Sequence, residues 1–338
     1  MPHLARQPHL NRMQIRADID GDQNAAPATV AASAVGDEAR GVRRRFLIIH
    51  NPVAGRNRVG LVRDVVRRLE QAGAIGNLLS LAECEADTNF AARIDTYDAI
   101  VASGGDGTAR SIASLLQGHA TPLALIPGGT GNVLAAELDL PRDADAIAHM
   151  LLHGPVVRLS TAAVNGSPFL LMIGAGFDGQ VIARLPLALK RRVGRIAFGW
   201  PVIAALARKP RLFPATIDGQ AHDASWLVVA NAARYGGPFI LSPRTNILSP
   251  GFNVVISKAT SRRQRLWELL HMMMGRLERA GTIEMRPARV IEIRHAEALP
   301  VQVDGEPLAA PSYRIEADVS GTAMIVPAAA RGPARDGD

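Results

Sequence analysis

Cysteine is almost absent from this sequence, and lysine nearly so. The single thiol, Cys84, cannot close an intrachain disulfide, so the chain relies on its core and suits a reducing compartment. No lysine or histidine lies close to it in sequence, and it reads as buried filler rather than a nucleophile. The lysines are Lys190, Lys209 and Lys258, among 38 basic residues in all. Nothing before Lys190 can therefore supply the phosphate-binding lysine of P-loop enzymes or protein kinases, and GxxxxGK(S/T) is missing too. No GxGxxG follows the first apolar run, which counts against a dinucleotide dehydrogenase. Aromatic residues are only 4% of the chain and form no aromatic–basic motif, so nucleic acid is not an expected partner. Uncharged apolar runs of ~18 or more residues are lacking, which excludes an obvious spanning helix. The N-terminal stretch has no apolar segment ahead of a small-residue cleavage site. A cytoplasmic protein is expected.

The 338 residues suffice for two ordinary domains, with 48% hydrophobic and 20% charged. Basic residues exceed the 31 acidic ones, for a formal charge of +7; this allows phosphate or anionic-lipid ligands without choosing among them. Residues 1–43 show no periodicity and read as a disordered extension, and 328–338, rich in Ala, Arg, Gly and Pro, as a disordered tail. Within 44–155, the apolar runs Phe46–His50, Asp98–Ala102 and Leu123–Ile126 alternate with helical patterns, among them Val59–Ala72. That alternation predicts an α/β domain: a parallel sheet with helices on both faces. Within 156–327 the pattern becomes short β-rich runs separated by Gly, Pro or Asn: Val156–Val164, Phe169–Ile173, Leu212–Ile217, Trp226–Ala230, Phe252–Ile256, Val290–Arg294, Tyr313–Val319 and Ala323–Val326. These predict a mainly antiparallel β-sandwich, interrupted by helical insertions near Ile182–Ala207 and Arg262–Arg279.

Three loops that should leave the C-terminal edge of the parallel sheet carry glycine and small polar residues: Asn51–Arg58, Ser103–Thr108 and Pro127–Asn132. The second and third begin 24 residues apart (103 to 127), the length of one βα repeat, which predicts that they lie side by side. Glycine lets backbone N–H groups approach an anion, and a helix N-terminus behind each loop adds partial positive charge. Positive charge near a phosphate would come from Arg56, Arg58, Arg110, loop amides or a metal. Asp106, between two glycines, is either a Mg²⁺ ligand or an Asx-turn acceptor for the following helix.

At these residues the sequence resembles the diacylglycerol kinase catalytic family, which includes bacterial lipid kinases and sphingosine kinases. The carriers are NPVAGR at Asn51–Arg56, SGGDGTARSIAS at Ser103–Ser114, IPGGTGNVLAAELDLP at Ile126–Pro141, GAGFDG at Gly174–Gly179 and VDGEP at Val303–Pro307. They span nearly the whole chain from Phe46 to Val326. GGDGT alone is shared with NAD kinases and phosphofructokinases; its combination with PGGTGN and DGE is far more specific. The resemblance implies an ATP- and Mg²⁺-dependent kinase acting on a lipid hydroxyl, with ATP held by the first domain and the lipid by the second. It implies ATP contacts at Asn51, Pro52, Gly55, Arg56, Gly104, Gly105, Asp106, Gly107, Thr108, Gly128, Gly129, Thr130 and Asn132, with Asp106 on the metal. It also implies that Asp304 and Glu306 approach the acceptor, Glu306 preferred as base; the residues alone would make Asp304-Gly305-Glu306 a hairpin turn. The family's acidic Asp-Gly metal element has as its counterpart Leu248–Phe252, which lacks a carboxylate.

A lipid substrate presented at a membrane calls for an adhesive surface, on the inner face for a cytoplasmic protein. Ile182–Arg211 mixes basic residues with Phe198 and Trp200 and suits that role or an ordinary packed helix pair. The second insertion, with Trp267, Leu269, Leu270 and Met272–Met274, reads as buried. A homodimer is compatible with the chain. An NAD kinase-like enzyme and a non-catalytic nucleotide or lipid sensor are the alternative functions.

Overall fold

The computed structural model describes residues 41–52, 59–129, 131–185, 197–236, 239–294, 296 and 298–330. The expected disordered termini lie outside these, apart from 41–43 and 328–330. Strands β1 (Arg45–His50), β2 (Ile75–Ser80), β3 (Ala99–Gly104) and β4 (Leu123–Pro127) form parallel pairs in the order β2-β1-β3-β4. β3 and β4 are buried throughout. Covered on both faces, such strands read as unbroken apolar runs. Helix α1 (Val59–Gln71) buries Val62, Val65 and Leu69, one turn apart on a single face. It is followed by α2 (Leu81–Ala86), α3 (Phe90–Ile94), α4 (Asp106–Leu115), α5 (Val133–Glu137) and α6 (Ala144–His153), the last packed on α1. Ser80 and Glu83 close a capping box at the start of α2. Cys84 is buried there, its thiol pushed up to about 11 chiefly by desolvation.

The second lobe is a two-sheet sandwich. Its strands are β5 (Val156–Val164), β6 (Ser167–Phe169), β7 (Met172–Gly176), β8 (Phe213–Ile217), β9 (Gln220–Ala224), β10 (Trp226–Ala230), β13 (Phe252–Ser257), β14 (Ile283–Ala288), β15 (Val290–Ile293), β16 (Val301–Val303), β17 (Glu306–Leu308) and β18 (Tyr313–Ile325); β11 (Arg234–Tyr235) and β12 (Phe239–Ile240) pair apart. One sheet runs β14-β13-β10-β7-β16-β17, all antiparallel. β5, β6, β8, β9, β15 and β18 extend the first lobe's sheet. Leu227 and Val229 of β10 and Val254 and Ile256 of β13 fill the core between the sheets. Trp226 and Val228 alternate to the other face, where Phe177 of α7 (Phe177–Ala183) and Arg265 of α9 (Arg262–Met273) meet the Trp226 ring, and α8 (Gly199–Leu206) packs against both helices. Hairpins β5–β6, β8–β9 and β16–β17 turn on Asn165-Gly166, Asp218-Gly219 and Asp304-Gly305, each with φ > 0 at both positions, the type I′ geometry such dipeptides favour.

Two expectations change. The segments Tyr313–Val319 and Ala323–Val326 are one strand, β18, whose register against β5 shifts between Asp318 and Thr322. Its first part lies beside β15 and its end beside β4, at Met324 and Leu123, so a single strand spans both lobes. Phe169–Ile173 is divided between β6 and β7, because Leu170, Leu171 and Met172 turn their N–H groups onto Asp304.

Candidate active site

The parallel order sets the second and third glycine loops side by side, as their spacing predicted. Asn51 N donates to Ser103 O at 3.1 Å, and Gly128 N and Gly129 N donate to Gly104 O at 2.7 and 3.1 Å. Asn51 Nδ2 donates to Thr108 Oγ1 at 3.2 Å. Approach is close enough that a Cβ on Gly129 would lie 2.4 Å from Gly105 Cα, and one on Gly104 2.4 Å from Thr108 Oγ1. Pro52 stands where the described chain pauses; Gly55, Arg56 and Thr130 lie outside the described residues.

Asp106 opens α4, but its carboxylate does not fold back on that helix in an Asx-turn. Oδ2 accepts from Val133 N at 3.1 Å and Oδ1 from Leu134 N at 3.0 Å. It thus caps α5 and ties the GGDGT loop to the PGGTGN loop. Asn132, at the α5 N-cap, adopts a left-handed conformation with φ 46°. Its Oδ1 is buried without a hydrogen-bond partner, as is Nε2 of His50, whose Nδ1 sits 3.2 Å from Ser103 Oγ.

The second lobe contributes the β16–β17 turn. Glu306 ion-pairs with Arg110 of α4, a residue 196 positions away, and a Cβ on Gly107 would lie 2.8 Å from Glu306 Oε1. The sandwich carboxylate therefore stands directly over the first turn of the GGDGT helix. Its side chain is 52% exposed and that of Arg110 20%. Asp304 faces inward: it accepts from Leu170, Leu171 and Met172 N–H groups, each at 2.9 Å. Desolvation pushes its carboxyl up to about 6, opposed by those donors and by Arg110. Beside Arg110 lies a cleft of about 320 Å³, lined also by Ser111 and Ser114 of α4 and by Ser167 and Pro168.

Behind the site runs a buried polar network that sequence reasoning missed. Asp178, in the GAGFDG motif, accepts from Tyr235 Oη and, at 3.4 Å, from Gln302 Nε2. Gln302 Oε1 accepts from Gly305 N at 2.7 Å. Arg265 of α9 pairs with Glu268 at 2.7 Å, with both side chains buried, and lies 5.2 Å from the ring centres of Phe177 and Trp226. The motif glycines were the available signal for Asp178: a Cβ on Gly174 would lie 2.0 Å from its Oδ2.

Known proteins are similar to this chain over both lobes. The description "Diacylglycerol kinase catalytic domain" matches residues 45–164, and "YegS C-terminal NAD kinase beta sandwich-like domain" matches residues 171–329. A Pseudomonas aeruginosa protein named a probable lipid kinase of YegS-like type is 30% identical over 243 residues, covering 69% of this chain and 78% of the relative. A Synechocystis protein of uncharacterised role is 30% identical over 55% of this chain, but the match spans only 47% of that relative. A solved structure from Bacillus anthracis, provisionally named a diacylglycerol kinase, superposes with a TM-score of 0.71 at 25% identity, covering 88% of this chain and 99% of that one. With both domain descriptions in succession, and the paired glycine loops facing the DGE turn, the chain belongs to the diacylglycerol kinase catalytic-domain family of kinases.

Proposed function

We propose that the protein is an ATP- and Mg²⁺-dependent lipid kinase that transfers the γ-phosphoryl group to a lipid hydroxyl, with diacylglycerol the first acceptor to test. The observation that carries this reading is Glu306 of the sandwich lobe set over Gly107 and Arg110 of the glycine-loop lobe. A phosphoryl donor bound by one lobe and a hydroxyl presented by the other would meet there. On this reading 44–155 binds nucleotide and 156–327 shapes the acceptor site. The loop amides around Gly104, Gly105, Gly128 and Gly129 cradle phosphates, assisted by the α4 N-terminus.

Glu306 takes the acceptor's hydroxyl proton as the acceptor oxygen bonds to the γ-phosphorus and the bond to the bridging oxygen breaks, releasing ADP. Asp304 holds the turn that aims Glu306, its oxygens being occupied by three N–H donors. Asp106 suits a magnesium ion: its two hard carboxylate oxygens stand where the GGDGT and PGGTGN loops meet. Mg²⁺ needs only one or two carboxylates beside phosphate oxygens and water, and it would neutralise charge on the phosphates. The lipid acceptor would be met at a membrane surface. An NAD kinase-like reading draws on the description of the second domain.

The purified protein incubated with γ-labelled Mg-ATP, a lipid panel and NAD, beside Asp106→Ala and Glu306→Gln, separates these. Label in an organic-extractable product, lost with both variants, supports the lipid kinase and names the acceptor. Label confined to NAD overturns it, and bound ATP without transfer points to a sensor.

A further inference from the structure

Helix α9 is built inside out. Its charged pair, Arg265 and Glu268, is at most 2% exposed, while Trp267, Leu270 and Met273 on the opposite side are 56, 42 and 65% exposed. The orientation is fixed by chemistry on the inner face. Glu268 Oε1 accepts from Ser257 Oγ at 2.7 Å and from Thr282 Oγ1 at 2.5 Å. Arg265 donates to Glu268 and to Ser225 Oγ at 2.7 and 2.8 Å while stacked against two aromatic rings. Turning the helix to bury its tryptophan would take these partners away from the buried hydroxyls of Ser225 and Ser257, and polar groups buried without their partners cost stability. The apolar residues therefore stay outside.

α8 packs beside α9 and repeats the feature, with Trp200 70% and Ile203 60% exposed, three residues apart on one side. Large apolar surface with two tryptophans, left in water by two adjoining helices, marks a binding surface. Its charge selects the occupant. Arg262 and Arg263 are exposed at the start of α9, and Arg208, Lys209 and Arg211 follow α8. Within 197–211 and 261–279, Glu278 is the one exposed carboxylate. Tryptophan and aliphatic side chains rimmed by cations fit the headgroup layer of an anionic bilayer, where indole rings settle at the water boundary and basic side chains reach lipid phosphates.

We propose that the exposed faces of α8 and α9 dock the protein on anionic lipid bilayers. This draws on the lipid-kinase reading for its purpose but stands on the geometry of the two helices. It also replaces the expectation that the second insertion is buried: Leu269 and Met272 are, whereas Trp267, Leu270 and Met273 are not.

The test is flotation of the full chain with vesicles of phosphatidylcholine, alone or mixed with phosphatidylglycerol, alongside Trp267→Ala/Leu270→Ala and Arg262→Gln/Arg263→Gln. All four positions are exposed, so melting temperatures should hardly move, which separates binding from folding. The wild type should float with the mixed vesicles and be released by salt. The apolar pair should lose about tenfold or more in vesicle affinity, and the arginine pair should lose its preference for the anionic lipid. Equal flotation of wild type and variants overturns the proposal. So does light scattering that shows dimers dispersed by the apolar variant, since the face would then belong to a second copy. Flotation is read without turnover, so a protein that floats but phosphorylates nothing keeps the docking surface and loses the lipid-kinase reading. One that phosphorylates lipid in detergent but never floats does the reverse.

Discussion

At Gly129 one added carbon would stand 2.4 Å from Gly105 Cα and 2.9 Å from Asn132 Oδ1. Backbone cannot yield as a flexible side chain can. Gly129→Ala should therefore force the two glycine loops apart, costing about 1–3 kcal/mol of stability and weakening ATP affinity in calorimetry; unchanged affinity would refute the loops' role. Glu306→Gln keeps the size of the side chain and removes the proposed base. Turnover should fall by about 10²–10⁴ with ATP affinity little altered. Asp178 is a different case, since desolvation pushes its carboxyl up to about 6 from 3.8. The folded protein holds that proton where the unfolded chain has released it, so the stability this group contributes is present below 3.8 and is lost as pH rises to about 6. The stability of wild type minus that of Asp178→Asn should fall by roughly 2 kcal/mol across that window, measured by denaturant melts from acid to neutral pH. A flat difference would show that the carboxyl keeps its ordinary value.

Among elements, α9 departs furthest from its sequence pattern. An Arg–Glu pair at i, i+3 ordinarily lies on a solvated face, and a methionine run ordinarily fills a core. Periodicity shows that a helix has two faces, but only the surface it packs on decides which one turns inward. Here Ser225, just ahead of β10, and Ser257 of β13 stand beside the Trp226 ring, a lining that pairs with charge. Glu268→Ala would leave Arg265 buried and unpaired, and about 3–5 kcal/mol should be lost in thermal or denaturant unfolding. A loss below 1 kcal/mol would mean that water reaches the pair. The Asp304-Gly305 hairpin was readable for the opposite reason: Asp-Gly carries its own φ preference wherever it stands.

Across the whole molecule, the lobes meet through β18, through Glu306 on Arg110, and through Glu137 of α5. The Glu137 carboxylate, buried in the first lobe, accepts from Ala233 N at 2.9 Å and Arg234 N at 3.2 Å in the second. The Arg110–Glu306 pair is partly exposed, so Arg110→Ala should lower stability by less than about 1 kcal/mol while cutting turnover at least tenfold. A variant that melts early and turns over normally would reverse that assignment.

Much of this architecture followed from local chemistry. Apolar runs ending in glycine specify buried parallel strands with anion-ready loops, because glycine and apolar residues act the same way wherever the chain leads. The sequence by itself also determined the alternation of elements that sets the two lobes apart, and the DGE turn as a hairpin. Three features waited for the tertiary structure: Asp106 reaching across to α5, Glu306 arriving over a helix 196 residues distant, and the apolar face of α9 turned to solvent. Each depends on which surfaces meet once the sheets close. Periodicity and spacing report a residue's neighbours along the chain; packing alone selects its neighbours across it.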